Sequence, residues 1–197
     1  RQGEDLRFYE IGPAFFPEVQ RDPPVAEPLL FAGVMLGNRR PAGWSEPAER
    51  VDFFDAKGAV EAVLDALAIE GVKWEPGDAG WLHPRSAARL VVGGREVGSL
   101  GELHPLVAEA FDLPRGVFAF ELRVDPLIAA ARLLPRFEGV PRFPAVLRDL
   151  AVVVPVEVSA ARVEEVLRGP AGEGLVEGVE LFDVYQGPQL GEGRKNL

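Results

Sequence analysis

Two adjacent glycines, Gly93 and Gly94, separate two apolar-rich segments, 88–92 and 96–100. A two-residue loop needs positive φ at its centre, which glycine adopts without steric cost. The pair therefore reads as a tight hairpin joining antiparallel strands. An isolated hairpin is marginal in water, so such a chain must supply more strands or a covering helix. It supplies both. Residues 6–16 are apolar and β-prone, with a bend at Gly12-Pro13. Residues 17–28 read as a Pro-rich acidic loop, and Leu29–Leu36 is the continuous apolar run of a buried strand. A long loop follows over 37–50, with a lone Trp44. Asp55 then reads as a helix N-cap. Val60, Val63, Leu64 and Leu67 follow at i, i+3, i+4, i+7, and Gly71 is the expected C-cap. Residues 105–111 predict a short helix. In a strand over 117–124, Phe118, Phe120, Leu122 and Val124 share one face. Asp125-Pro126 opens another helix, with Asp as cap and Pro at its first position.

Pro135, Gly139, Pro141 and Pro144 then interrupt the pattern. We place a boundary there: a first domain over 1–134, a linker over 135–144 and a second domain over 145–197. The second begins with a strand at 150–156. Ser159 caps a helix carrying Val163, Val166 and Leu167, ended by Gly169-Pro170. A strand at 179–185 and a Gly-rich turn over 186–193 follow, leading into the start of another strand. A β-α-β unit of this size is marginal alone. The expectation is therefore a truncated second domain in a segment of a larger protein. The absence of an initiator Met and a strand-like start at Arg1 point the same way.

Length allows one large or two small domains, at 197 residues. No apolar run approaches the ~18 residues of a membrane span, and no basic-then-apolar leader is present. Cysteine is absent, which excludes disulfides and thiol chemistry and fits a reducing cytoplasm. The net charge of −10 is unlike that of a general nucleic-acid binder, whose affinity rests on basic surface. Any RNA contact must be local or shared with other chains.

Candidate chemistry is sparse. Leu82-His83-Pro84 and Leu103-His104-Pro105 could be a two-His metal or acid/base site, but zinc takes three or four protein ligands and no further ligand spacing appears. The alternative is that Pro starts a helix and His fixes the turn before it. Glu49, Asp52 and Asp55 could hold magnesium, against a capping role for Asp55. Gly93, Gly94, Gly98 and Gly101 lack a phosphate-loop spacing, and Ser45, Ser86 and Ser99 lack a nucleophile elbow. Trp44, Trp74 and Trp81 are stacking platforms or packing groups. In the second domain Arg142, Arg148, Tyr185, Gln186, Arg194 and Lys195 suit contact with a folded RNA, against an ordinary solvated edge.

Several strings carry a family resemblance. Leu6-Arg7-Phe8-Tyr9-Glu10-Ile11-Gly12, Asp52-Phe53-Phe54-Asp55-Ala56-Lys57-Gly58, Leu82-His83-Pro84-Arg85-Ser86-Ala87 and Gly98-Ser99-Leu100-Gly101-Glu102-Leu103-His104-Pro105 resemble the catalytic-like module of the bacterial phenylalanyl-tRNA synthetase beta subunit. Phe143-Pro144-Ala145-Val146-Leu147-Arg148-Asp149-Leu150-Ala151 and Leu181-Phe182-Asp183-Val184-Tyr185-Gln186-Gly187 are similar to its ferredoxin-fold anticodon-binding domain. The matches run in family order along nearly the whole chain.

The resemblance implies an α+β fold: a class II synthetase-like antiparallel sheet with flanking helices, then a truncated ferredoxin-like β-α-β. It implies a cytoplasmic phenylalanine–tRNA ligase that uses ATP and magnesium and forms a heterotetramer of two alpha and two beta subunits. Chemistry would lie on alpha. This segment would be non-catalytic, with no metal or cofactor of its own, and would serve as a scaffold that packs against alpha and helps place the tRNA for phenylalanine. Arg148, Tyr185 and Lys195 are the expected RNA contacts. Two rival readings remain: a protein-interaction module without RNA contact, and a small-molecule enzyme on a synthetase-like fold.

Overall fold

The computed structural model describes residues 5–20, 22–40, 43–44, 47–134, 143–169 and 175–197. They fall into two compact units, Arg1–Arg136 and Phe137–Leu197.

The first unit is built on the hairpin. Strands β6 (Leu82–Val92) and β7 (Arg95–Leu103) flank Gly93 and Gly94, whose φ values of 58° and 79° are those of a primed turn. Both strands run longer than the apolar runs predicted. They belong to a six-stranded antiparallel sheet ordered β1-β4-β8-β7-β6-β5, with β1 (Leu6–Pro13), β4 (Leu29–Leu36), β5 (Val72–Pro76) and β8 (Phe118–Arg123). The loop expected at 17–28 contains a small antiparallel pair, β2 (Phe16–Pro17) with β3 (Val25–Ala26).

Pairing register decides what each face carries, because directly opposed residues share a face. Phe118, Phe120 and Leu122 of β8 stand opposite Met35, Gly33 and Phe31 of β4, and Leu100 of β7 stands opposite Phe120. This is the core face. Helix α1 (Phe53–Ala66) lays Ala56, Val60 and Leu64 on it, and helix α3 (Val124–Ala130) adds Leu127. Leu90, Leu100 and Leu122 are wholly buried at its centre. Leu90 pairs with Gly98 and Val91 with Glu96, so Val97 is the extra residue of a β-bulge, and its side chain joins the core.

Four expectations change. The N-cap of α1 is Asp52, not Asp55: Asp52 accepts from the N–H groups of Phe54 and Asp55, while the Asp55 carboxylate accepts from the Asp52 N–H. This is a reciprocal capping box, in which either aspartate resembles a cap from sequence alone. The helix ends at Ala66, and Gly71 (φ 70°) instead turns the chain into β5, a strand that the sequence pattern did not reveal. Val124 leaves the strand and begins α3. Asp125 sits in that helix's first turn, where a carboxylate suits the helix dipole, but makes no side-chain cap hydrogen bond.

The fourth change lies in the second unit. Its strand β9 (Val153–Pro155) pairs antiparallel with β10 (Arg194–Asn196). Helix α4 (Ala160–Leu167) is capped by Ser159, as expected, through a 3.2 Å bond from the Arg162 N–H. The strand expected over 179–185 does not form; only Tyr185 bridges to Asn196. The apolar residues there meet no continuous partner strand, and without a ladder a β-prone composition alone does not make a strand. A one-turn 3₁₀ helix, Pro188–Leu190, follows. None of the described residues of this unit is fully buried. The residues 135–142 of the expected linker lie outside the described residues. No described helix is long and apolar enough to cross a membrane.

Candidate nucleic-acid interface

The polar groups that could carry chemistry in the first unit are taken up by local structure. His104 is the N-cap of the short helix α2 (Pro105–Ala110), and its Nδ1 accepts from the Leu106 N–H at 3.2 Å, with Pro105 at the first helical position. His83 does the same for the Arg85 N–H, also at 3.2 Å, but within the irregular start of β6 and not at a helix start. The Nδ1 atoms of both histidines are acceptors spent on backbone.

Glu49, Asp52 and Asp55 do converge, but around a cation already in the chain. Arg39 Nε donates to Asp55 Oδ1 at 2.8 Å, with Glu49 at 3.1 Å and Asp52 at 3.5 Å. Asp55 titrates below its ordinary value. Burial pushes it up, and the bonds from Arg39 and from the Asp52 N–H more than offset this. The Arg39 guanidinium is correspondingly raised, chiefly by the bond to Asp55. All three carboxylates are already turned onto one internal guanidinium, so they do not present an open set of oxygens to a magnesium ion. Among the described residues no group of three or more His, Asp or Glu could hold a metal ion. The node clamps the loop 37–51 at its base, where Asn38 bridges Arg50 and the Val51 N–H donates to the Gly37 carbonyl at 2.9 Å. Sequence reasoning missed Arg39, because nothing marks a pairing sixteen residues apart.

The glycines do not cradle phosphate. Gly98 and Gly101 lie within β7, where a Cβ would collide with the Glu121 and Ser86 carbonyls respectively. They allow close strand approach. Ser86 and Ser99 stand in β6 and β7, and Ser45 lies outside the described residues. Trp74 packs against the core and donates to Glu61 at 3.2 Å, Trp81 is half-buried, and Trp44 is fully exposed.

Of the residues expected to meet RNA, Arg142 lies outside the described residues. Arg148 is exposed on the irregular stretch before β9. Tyr185 exchanges backbone hydrogen bonds with Asn196, at 3.0 and 2.9 Å, and Asn196 in turn is opposite Val153. Tyr185, Asn196 and Val153 thus share one face. Lys195, opposite Val154, takes the other face, because successive residues of a strand alternate. The structure therefore brings Tyr185 to the sheet but sets it on the face opposite Lys195. The phenol of Tyr185 donates to Gln189 Oε1. Gln186 and Arg194 are exposed nearby in sequence, Arg194 opposite Pro155.

Comparison with known proteins gives consistent matches. Residues 1–124 match the family model of the phenylalanyl tRNA synthetase beta chain CLM domain, and residues 141–197 match that of the ferredoxin-fold anticodon binding domain. The phenylalanine–tRNA ligase beta subunit of Anaeromyxobacter dehalogenans is 54% identical over 98% of this chain and 24% of its own length. Those of Symbiobacterium thermophilum and Moorella thermoacetica are each 45% identical, over 100% and 98% of this chain and 22% and 24% of their own lengths. The chain spans about a quarter of the length of these curated relatives.

Proposed function

Since the chain belongs to the phenylalanyl-tRNA synthetase beta-chain family, we propose that it is a non-catalytic segment of a phenylalanine–tRNA ligase beta subunit. The supporting observation is that two distinct family matches follow one another along the chain, each over one of its compact units. In this reading residues 1–134 are a class II-like module that has the sheet but not the chemistry. Residues 135–144 link it to an anticodon-binding domain that begins at 145. The whole enzyme charges the tRNA for phenylalanine in the cytoplasm, using ATP and magnesium at a site on the alpha subunit, in an assembly of two alpha and two beta chains. Within this segment the polar groups serve caps and clamps, as befits a scaffold. The exposed Phe8, Tyr9 and Ile11 of the edge strand β1 suit burial against other polypeptide.

The second unit contacts the anticodon region, with Tyr185 on one sheet face, Lys195 on the other and Arg148 on the approach to β9. The test is co-expression with a phenylalanyl-tRNA synthetase alpha subunit and native mass determination. A stoichiometric complex is expected, and a chain that stays alone would count against the scaffold role. A second reading, a protein-interaction module without RNA contact, draws on the net charge of −10. The salt slope of tRNA affinity separates the two, since each lost phosphate contact lowers it by about one unit. Removing Arg148 and Lys195 charges without changing affinity or slope would favour the second reading.

A further inference from the structure

We propose that Gln189 and Gly187 are positioning residues that hold the Tyr185 ring in place to meet an unpaired base of the tRNA. This rests on the reading that Tyr185 contacts RNA. Three observations carry it. Tyr185 is tied at the backbone to Asn196 of β10 by a pair of hydrogen bonds. At the far end of the ring, the hydroxyl donates to Gln189 Oε1, four residues on. Between them the chain folds back under the ring. A Cβ placed on Gly187 would lie 2.9 Å from Tyr185 Cε1 and closer still to Cζ and the hydroxyl. The 3₁₀ turn Pro188–Leu190, entered at Gly187, is what brings Gln189 round to the phenol. The Leu190 N–H closes that turn on the Gly187 carbonyl at 3.0 Å.

Gly187 has φ −165°, an extended value open to any residue, so its smallness matters for space and not for backbone conformation. The group it would strike is the end of an aromatic side chain. A methyl there displaces the ring and leaves the backbone turn intact. Tyr185 is 39% exposed, so the residue is reachable from solvent. A stacking contact is worth most when the ring is already held, because ordering a side chain on binding detracts from affinity.

The test is tRNA charging by the assembled alpha–beta enzyme, with KM for tRNA and kcat measured separately and far-UV circular dichroism as the folding control. Tyr185→Ala should raise KM for tRNA roughly 5- to 150-fold, the range of a lost base stack. Gln189→Leu should raise it about 2- to 10-fold, the range of one hydrogen bond, with kcat at saturating tRNA changing less. If Gln189 acts only through the phenol, Tyr185→Phe should have the same effect, and the double variant no more than either alone. Gly187→Ala should weaken binding in the parent but not in the Tyr185→Ala background. A Tyr185→Ala effect with unchanged Gln189→Leu and Gly187→Ala variants would overturn the positioning role and leave the RNA contact standing. Additive effects of Tyr185→Phe and Gln189→Leu would also overturn it. No effect of Tyr185→Ala would remove the RNA contact itself, and the positioning role with it.

Discussion

In the first unit Leu90, Leu100 and Leu122 are 0% exposed and the helices close one face of a six-stranded sheet. In the second, Leu147 and Phe182 stand 89% and 74% exposed, and among the described residues the only strand-to-strand ladder is three residues long. Both units nevertheless show well-formed local devices: a capping box on α1, a serine cap on α4, and ion pairs at helical spacing along α4, Arg162 to Glu165 at 2.6 Å and Arg168 to Glu164 at 2.9 Å. The difference teaches which level of structure holds each unit. Caps and exposed ion pairs contribute a few tenths to about 1 kcal/mol each, enough to choose where a helix starts but not to keep it. An eight-residue helix is too short to persist without tertiary support. The first unit supplies that support from its own core. The second must draw it from contacts beyond those that its described residues make with one another.

Three perturbations break or sharpen this contrast. The largest effect is expected from Leu122→Ala, which should destabilise the first unit by about 2–5 kcal/mol in urea unfolding, the range for a buried Leu truncation. Val154→Ala in β9, a half-buried site, should cost a small fraction of that. Comparable losses at the two sites would mean that the second unit has a core after all. Next come the caps. Asp52→Ala should cost roughly 1 kcal/mol, since it removes the side-chain half of the box and leaves the backbone N–H of residue 52 bonded to Asp55. Ser159→Ala should cost the α4 helix a similar amount locally. Because α4 is not anchored by buried side chains, the change should appear as reduced helix signal and faster amide exchange at 160–167, not as a shifted global transition. The smallest effect is the acid response of Asp55. Its native value lies below the ordinary one, so its stabilising contribution is complete above the ordinary value, about pH 4, and is lost as pH falls through the native value. The stability gap between the parent and Asp55→Asn should therefore hold at neutral pH and close on acidification. A gap that persists unchanged at pH 2 would show that Arg39 does not depend on this carboxylate.

Legibility in the sequence followed the range of the interactions. The Gly93–Gly94 hairpin and the Ser159 cap were readable because each rests on residues within a few positions of one another. The start of α1 was misread by three residues because Asp52 and Asp55 cap each other's backbone, so both carry the chemistry of a cap. β5 escaped notice because Val72–Pro76 is short and gains its place only by pairing with β6. The stretch 179–185 failed the other way: its β-prone composition fits a strand, yet only Tyr185 finds a partner. At the candidate interface, residue types were legible but their facing was not. Tyr185 and Lys195 look like neighbours in a cluster, and only the pairing register shows that they lie on opposite faces. The link from Gln189 to Tyr185 was equally hidden, since a glutamine four residues on from a tyrosine in a Gly-rich turn signals nothing by itself.

The two strand glycines of β7 also bear on how this chain can drift over evolutionary time. Gly98 and Gly101 are each pressed against a carbonyl of a neighbouring strand, so even one methyl group at either position would pry the middle of the sheet apart. Between them, Ser99 stands half-exposed and free of that restriction. A lineage carrying this fold can therefore trade the chemistry of the face at position 99 while positions 98 and 101 stay locked. The room for innovation along β7 is set by the spacing of its strands before any function is selected.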